Sequence, residues 1–224
     1  YSSPTQVGTS TNWHGISVSN QDNQAITMGL KTDGTLWSWG NGSEGKLGLG
    51  NETNRSSPTQ IGTDTTWGNG IYDGITNGGD YTFTVGGESS GCIKTDGTLW
   101  AWGYGDDGSL GQNGPNIRRS SPTQIGTDTT WSDQIGAYGF AMLAIKTNGT
   151  LWSWGSQHSM GLLGHNEESG GYSSPKQVGT DTTWSKMCKG GSQGDNVFAI
   201  KTNGTLWTWG WQYNTGSMGL NEGG

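Results

Sequence analysis

The side chains that could do chemistry are few in this 224-residue chain, and they are scattered. His14, His158 and His165 have no partners at the spacing of a metal site, and Cys92 and Cys188 form no CxxC pair. The sequence contains no nucleophile elbow and no HExxH segment. It therefore offers no obvious catalytic or metal-binding motif.

The carboxylates add little to this. The pairs Asp106-Asp107 and Glu167-Glu168 could hold calcium weakly, but they match no known calcium-binding loop. Residues 103–108 have the glycine spacing of a dinucleotide site, yet no helix is predicted after them and two carboxylates would repel a pyrophosphate. A glycan hydrolase or lyase would need convergent carboxylates, and none stands out. The sequence predicts no catalytic residue, no metal site and no cofactor, and hence a protein that is not an enzyme.

One segment organises the rest of the chain. Lys31-Thr-Asp-Gly-Thr-Leu-Trp-Ser-Trp-Gly40 returns almost unchanged at Lys94–Gly103, Lys146–Gly155 and Lys201–Gly210. Its Asp-Gly or Asn-Gly pair lies between alternating apolar residues, which indicates a β-hairpin with a two-residue type I′ turn. Four such hairpins predict a repeat protein.

Each repeat contains further shared segments. Ser2–Thr9 recurs at Ser56–Thr63, Ser120–Thr127 and Ser173–Thr180, and its proline favours the edge of a sheet. A tryptophan follows at a fixed offset, and a glycine-rich loop follows the hairpin. About four short strands in roughly 50 residues indicate a propeller blade. We predict an all-β propeller of four-stranded antiparallel blades, forming a single domain over residues 1–224 with repeats at about 1–54, 55–118, 119–171 and 172–224.

Tryptophan replaces the aliphatic residues that a core of this size would otherwise need. Trp37 and Trp39 face one side of their strand, and Leu36 and Ser38 face the other. Twelve of the 13 tryptophans occupy repeated positions, so we assign these to packing within and between blades. Trp211 lies outside the pattern.

The charge of the chain excludes some partners. The net charge is −7 and no Lys/Arg cluster occurs, whereas binding to nucleic acid requires a basic face. No apolar run approaches the roughly 18 residues of a membrane span. We therefore expect neither nucleic acid nor a membrane span.

The Lys-Thr-Asp/Asn-Gly-Thr-Leu-Trp-x-Trp-Gly segment, the Gly-x-Leu-Gly loop and the Ser-Ser-Pro segment together resemble the regulator of chromosome condensation repeat family, and most of all its uncharacterised bacterial and phage members. The resemblance covers nearly the whole chain. It implies a propeller that is usually seven-bladed and that presents a face or rim to a protein partner. Exchange-factor and chromatin roles are not implied, because this chain has no basic tail or patch.

Four repeats leave the form of the ring open. The sequence starts at Tyr1 rather than Met, and joining its C-terminus to its N-terminus would nearly reproduce the internal junction at residues 164–175. Four blades could close on themselves, two chains could join head to tail, or the chain could be part of a longer array such as a seven-bladed ring. The near-identity of the copies favours the third alternative.

The second repeat differs most from the others. Its distance from tryptophan to lysine is the longest of the four, with the extra residues around 68–80. Insertions in repeat proteins often carry recognition, although a tolerated surface insertion explains this one equally well. We predict a candidate interface of non-repeated aromatic and acidic residues, comprising Tyr72, Asp73, Tyr81, Tyr104, Asp106, Asp107, Trp211 and Tyr213.

These observations predict a non-enzymatic structural or protein-interaction propeller. Its acidic, lysine-poor surface, rich in Gly, Ser, Thr and Asn, suits an extracellular position, or one on a virion, filament or cell surface. A soluble, cytoplasmic regulator or inhibitor that binds an enzyme or GTPase through one propeller face is the alternative. The expected partner is a protein or a surface glycan, with homo-oligomerisation or further repeats also possible.

Overall fold

The fold was obtained as a computed structural model. It describes residues 2–19, 25–68, 82–106, 108–114, 116–156, 161–167, 170–188, 196–211 and 217–220, and the structural statements below concern these ranges.

The described strands form four antiparallel sheets in chain order, so the prediction of an all-β array of blades is confirmed. Blade 1 contains β1 (Trp13–Ser19), β2 (Ile26–Lys31), β3 (Leu36–Gly40) and β4 (Arg55–Gln60); blade 2 contains β5 (Phe83–Val85), β6 (Ser89–Ile93), β7 (Leu99–Asp106) and β8 (Asn116–Gln124); blade 3 contains β9 (Trp131–Tyr138), β10 (Ala141–Lys146), β11 (Leu151–Ser156) and β12 (Gly171–Gln177); blade 4 contains β13 (Trp184–Met187), β14 (Asn196–Lys201) and β15 (Leu206–Gly210).

The fourth strand of each complete blade comes from the start of the next repeat. The Ser-Ser-Pro segment of the second repeat forms β4, the outermost strand of blade 1, and β8 and β12 stand in the same position in blades 2 and 3. Proline is tolerated there because one side of an outer strand makes no ladder hydrogen bonds. Within the described ranges, blade 4 has only three strands.

The hairpin turn differs from the predicted two-residue type I′ turn. The Gly34 amide donates to the Lys31 carbonyl, the Lys31 amide donates to the Thr35 carbonyl, and only Gly34 in this turn has positive φ (+76°). This is the longer loop, in which a type I turn is followed by one left-handed residue. The Asp33 carboxylate favours it by accepting hydrogen bonds from the amide and hydroxyl of Thr35.

The core lies between neighbouring blades. Leu36 of blade 1 packs in one buried cluster with Phe83 and Trp102 of blade 2. Two equivalent clusters join blade 2 to blade 3 and blade 3 to blade 4. Each blade therefore depends on its neighbour for burial of its apolar face, as expected of a repeat array.

Candidate functional site

The lysine of each repeated motif lies against two indole rings. Lys94 Nζ lies 4.5 Å from the ring centroid of Trp67 and 4.0 Å from that of Trp100. The same arrangement recurs at Lys31, Lys146 and Lys201. An ammonium group over an aromatic face is stabilised by the ring quadrupole, more strongly where water is excluded. The four lysines thus contribute to packing within their own blades.

Three of these lysines also pair with an aspartate. Lys94, Lys146 and Lys201 contact Asp64, Asp128 and Asp181, respectively. Burial raises the pKa of Asp64, but hydrogen bonds from Lys94 and Thr66 outweigh it and lower the pKa to about 2. The pKa values of Asp128 and Asp181 are also lowered to about 2, and the hydrogen bond from the paired lysine contributes most to this.

Blade 1 is the exception, because Ser10 occupies the position of the aspartate. The Ser10 hydroxyl accepts a 3.0 Å hydrogen bond from Lys31 Nζ. The blade 1 lysine therefore has a neutral partner where the other three have a carboxylate.

A threonine completes each cluster. The Thr98 hydroxyl donates to the Asp96 carboxylate at 2.7 Å and accepts from Trp100 Nε1 at 2.8 Å. The same contacts are made by Thr35, Thr150 and Thr205. Lys, Asp/Asn, Thr and Trp of the motif therefore hold the hairpin together, which explains why they recur.

Two similar cavities lie at equivalent places along the array. One of about 470 Å³ is lined by Asp64, Lys94, Trp100 and Arg55, together with Pro122 from the outer strand of blade 2. The other, of about 480 Å³, has Asp128, Lys146, Trp152, Arg119 and Pro175 in the same roles. Their shared lining follows from the packing of adjacent repeats.

In the described residues, the outer hairpin of blade 2 is longer than those of blades 1 and 3. In blade 1 the register of the two outer strands ends at Gly40–Arg55, whereas in blade 2 it continues past Gly103–Arg119 through three further residue pairs. We call this extension, residues 104–106 and 116–118, the blade 2 tip. In blade 3 the equivalent extension is a single pair.

Four side chains meet at the blade 2 tip. The Arg118 guanidinium lies 4.9 Å from the Tyr104 ring centroid and 2.8 Å from a Glu44 carboxylate oxygen, and the Tyr104 hydroxyl donates to Asp106. The hydrogen bond to Asp106 raises the pKa of Tyr104. The Arg118 side chain is 56% exposed, so it remains available to a partner.

The structure brings together two of the predicted interface residues, Tyr104 and Asp106. Trp211 is 45% exposed at the end of blade 4 and belongs to a different part of the surface. The remaining predicted residues, Tyr72, Asp73, Tyr81, Asp107 and Tyr213, lie outside the described residues. Sequence reasoning missed Arg118 and Glu44.

A serine and a histidine meet in blade 3. Ser153 Oγ lies 3.0 Å from His165 Nε2, and burial lowers the pKa of His165. The serine is fully buried and donates to the Leu163 carbonyl, as Ser38 does to Leu47 in blade 1. The hydrogen bond from Ser153 to Leu163 is therefore a repeated structural contact, and the buried hydroxyl is not accessible to a substrate.

Across the described ranges, three or more His, Cys, Asp or Glu side chains are nowhere gathered as metal ligands. Nor does the described chain contain a helix of the length and apolarity that crossing a bilayer requires.

Comparison with known proteins agrees with the blade architecture. The family described as regulator of chromosome condensation (RCC1) repeat matches residues 33–84 and 96–134. The chain thus contains RCC1 repeats. Two curated relatives from Arabidopsis thaliana are the mitochondrial RCC1 domain-containing protein RUG3, 30% identical over 81% of this chain, and the ultraviolet-B receptor UVR8, 28% identical over 88% of it.

Solved RCC1 structures confirm the fold. The crystal structure of Prp20p from Saccharomyces cerevisiae matches 97% of this chain with a TM-score of 0.77 at 17% identity. The chain spans 39% and 41% of the lengths of RUG3 and UVR8 and 50% of the Prp20p chain. It therefore corresponds to roughly half of an RCC1-type propeller, a type of domain that serves protein interaction.

Proposed function

We propose that this chain is a non-enzymatic structural or protein-interaction propeller that binds a protein partner through the blade 2 tip. The observation that carries the proposal is the extension of blade 2 by three residue pairs that present Tyr104 and Arg118. Tyrosine and arginine are the side chains most often found at the energetic centres of protein interfaces.

The surroundings of the tip support this role. Glu44 and Tyr104 hold the guanidinium of Arg118 in place while leaving much of it exposed. Less side-chain freedom is then lost on binding, which favours affinity. By contrast, the lysines, threonines and tryptophans of the motif already contact each other within their blades.

The proposal is tested with the Tyr104→Ala/Arg118→Ala double variant. Arg119→Ala is the matched control, because Arg119 is an adjacent exposed arginine whose side chain, among the described residues, donates to the Arg118 carbonyl alone. Each protein is used to capture partners from its source material, followed by quantitative mass spectrometry, with urea unfolding to check the fold. We expect the double variant to lose a captured protein by about tenfold or more while the control retains it. Equal capture by all three proteins would contradict a role of the tip.

We further propose an exposed setting, extracellular or on a virion, filament or cell surface. The composition supports it: the chain is rich in Gly, Ser, Thr and Asn, has 11 Lys and Arg residues against 18 Asp and Glu, and carries a net charge of −7. Co-purification of the captured protein with particles or filaments is the expected result.

A soluble regulator that binds an enzyme or GTPase is the second candidate. It is supported by the Prp20p structure, which was described together with the binding properties of that protein to Gsp1p and histones. Capture of one stoichiometric soluble partner, without particles, would favour this candidate over the exposed setting.

A further inference from the structure

The two ends of the array expose apolar side chains that are buried at every internal junction. Leu206 is 65% exposed, whereas Leu36, Leu99 and Leu151 at the same motif position are 0% exposed. At the other end Ile16 is 61% exposed. The residues that pair with the second strand in the same way as Ile16 are Phe83, Ile135 and Met187. All three are fully or almost fully buried.

The two exposed faces are the two halves of one junction. At the internal junctions, the leucine of one blade packs in a common cluster with the side chain at the Ile16 position of the next blade. The face around Leu206 is therefore the counterpart of the face around Ile16. We call them the C-terminal face and the N-terminal face.

The chain also contains a segment with the sequence of an outer strand and, within the described residues, a sheet without an outer strand. β15 has no strand on its outer side in the described residues, while residues 2–9 repeat the sequence of the outer strands but form no strand. In each complete blade, a backbone amide of the outer segment donates a 2.8 Å hydrogen bond to the carbonyl of the motif leucine; the donors are Ile61, Ile125 and Val178. Val7 is the equivalent residue, and Leu206 carries the equivalent carbonyl.

A tryptophan–glycine contact at each internal junction shows the same complementarity. The second tryptophan of each later blade donates its indole hydrogen to the glycine-rich loop of the blade before: Trp102 to Lys46, Trp154 to Ser109 and Trp209 to Leu162, at 2.9–3.1 Å. Gly48, Gly111 and Gly164 lie against these indoles, whereas nothing lies within 4 Å of the Cβ position of Gly219. By analogy with these three junctions, the Ser217 carbonyl would accept the indole hydrogen of Trp39.

The N-terminal face has room for this loop. A cavity of about 340 Å³ there is lined by Val7, Trp13, Ile16 and Trp39, among others. Met218, which is 8% exposed in its own chain, occupies the loop position at which Leu47 and Leu110 pack beside the indole of the next blade. A methionine side chain adapts readily to an apolar cavity of this kind.

We propose that two copies of this chain bind head to tail, with residues 2–9 of each copy forming the fourth strand of blade 4 of the other. Strand addition of this type combines main-chain hydrogen bonds with side-chain pockets. Both faces are exposed in one chain, and a second copy offers each of them the counterpart that it meets at the internal junctions. The contact would repeat a junction that this sequence already makes three times.

Two copies together supply eight blades. Propellers with up to eight blades exist, and each blade of an eight-bladed ring takes about 45° of the circle. Head-to-tail contacts close into a ring when the rotation permits it.

The first test is the mass of the 224-residue chain, measured by light scattering after size exclusion and by sedimentation at several concentrations. We expect twice the 23.7 kDa mass of one chain. A single-chain mass at all concentrations would overturn the proposal. Masses that grow with concentration would overturn the closed pair, because they would indicate an open filament.

The second test uses Leu206→Asp and Ile16→Asp. Both positions are exposed in the single chain, so the fold should survive, and each variant alone should remain a monomer. A mixture of the two still contains one intact C-terminal face and one intact N-terminal face, so it should form a pair. Dimers of either variant alone, or a mixture that stays monomeric, would contradict head-to-tail pairing.

Discussion

The ion pair between Asp64 and Lys94 provides a quantitative test of the repeated cluster. We consider Asp64→Ser, Lys94→Met and the double variant. Serine at position 64 reproduces the natural arrangement of blade 1, where Ser10 faces the lysine. Methionine retains much of the apolar stem that packs on the indoles but removes the charge.

The magnitude follows from the lowered pKa of Asp64. A carboxyl group whose pKa is lowered from 3.8 to about 2 would contribute about 2.4 kcal/mol of stability at neutral pH if it were fully shielded from solvent. The Asp64 side chain is 35% exposed, so solvent screening reduces this strongly. We expect a coupling free energy of about 1 kcal/mol, at the upper end for partly exposed pairs.

The sign of the pH dependence is fixed by the direction of the shift. Because the folded state holds Asp64 ionised to lower pH than the unfolded state does, the contribution is complete above about pH 5 and lost as the pH falls towards 2.

The coupling is measured by urea unfolding of the four proteins in a double-mutant cycle at pH 7 and at points down to pH 2.5. Tryptophan fluorescence is a suitable probe, since the lysine contacts two indoles. A coupling near zero at pH 7, or one that grows as the pH falls, would refute the assignment of the lowered pKa to this pair.

Three further predictions concern other residues of the repeats. Ser10→Asp gives Lys31 the carboxylate that the other lysines have, and should raise the free energy of unfolding by about 0.5 kcal/mol; an unchanged urea midpoint would show that serine serves equally well. Thr98→Val removes the acceptor of the Trp100 indole hydrogen and should lower the free energy of unfolding by about 1–2 kcal/mol, whereas Thr98→Ser should lower it little. Equal losses in the two variants would contradict the bridging role of the hydroxyl. Gly48→Ala places a methyl group 2.7 Å from an indole nitrogen and should cost about 2–3 kcal/mol by thermal unfolding, against about 1 kcal/mol for Gly62→Ala, which has similar φ and open space.

Much of the fold could be predicted because its signals are local. The Asp-Gly and Asn-Gly turns, the alternation around Trp37 and the position of proline at sheet edges each depend on a few adjacent residues. The turn type was predicted wrongly because it depends on side-chain hydrogen bonds to Asp33, which compete with the backbone preference of an Asp-Gly pair.

The candidate site was harder to predict because it depends on contacts distant in sequence. Tyr104 and Arg118 meet only through the register of β7 and β8, and Glu44 reaches them from the preceding blade. The lysine clusters were missed for the same reason, since Lys94 pairs with Asp64 across 30 residues. The prediction of an interface around residues 68–80 stays a prediction.

The offset between repeats and blades has a consequence for how such proteins change in length. Because each repeat supplies the outer strand of the blade before it, a duplication or loss of one repeat anywhere in the gene adds or removes one whole sheet. No internal sheet is left incomplete by such an event. The number of blades can therefore change by recombination while every internal sheet keeps its four strands.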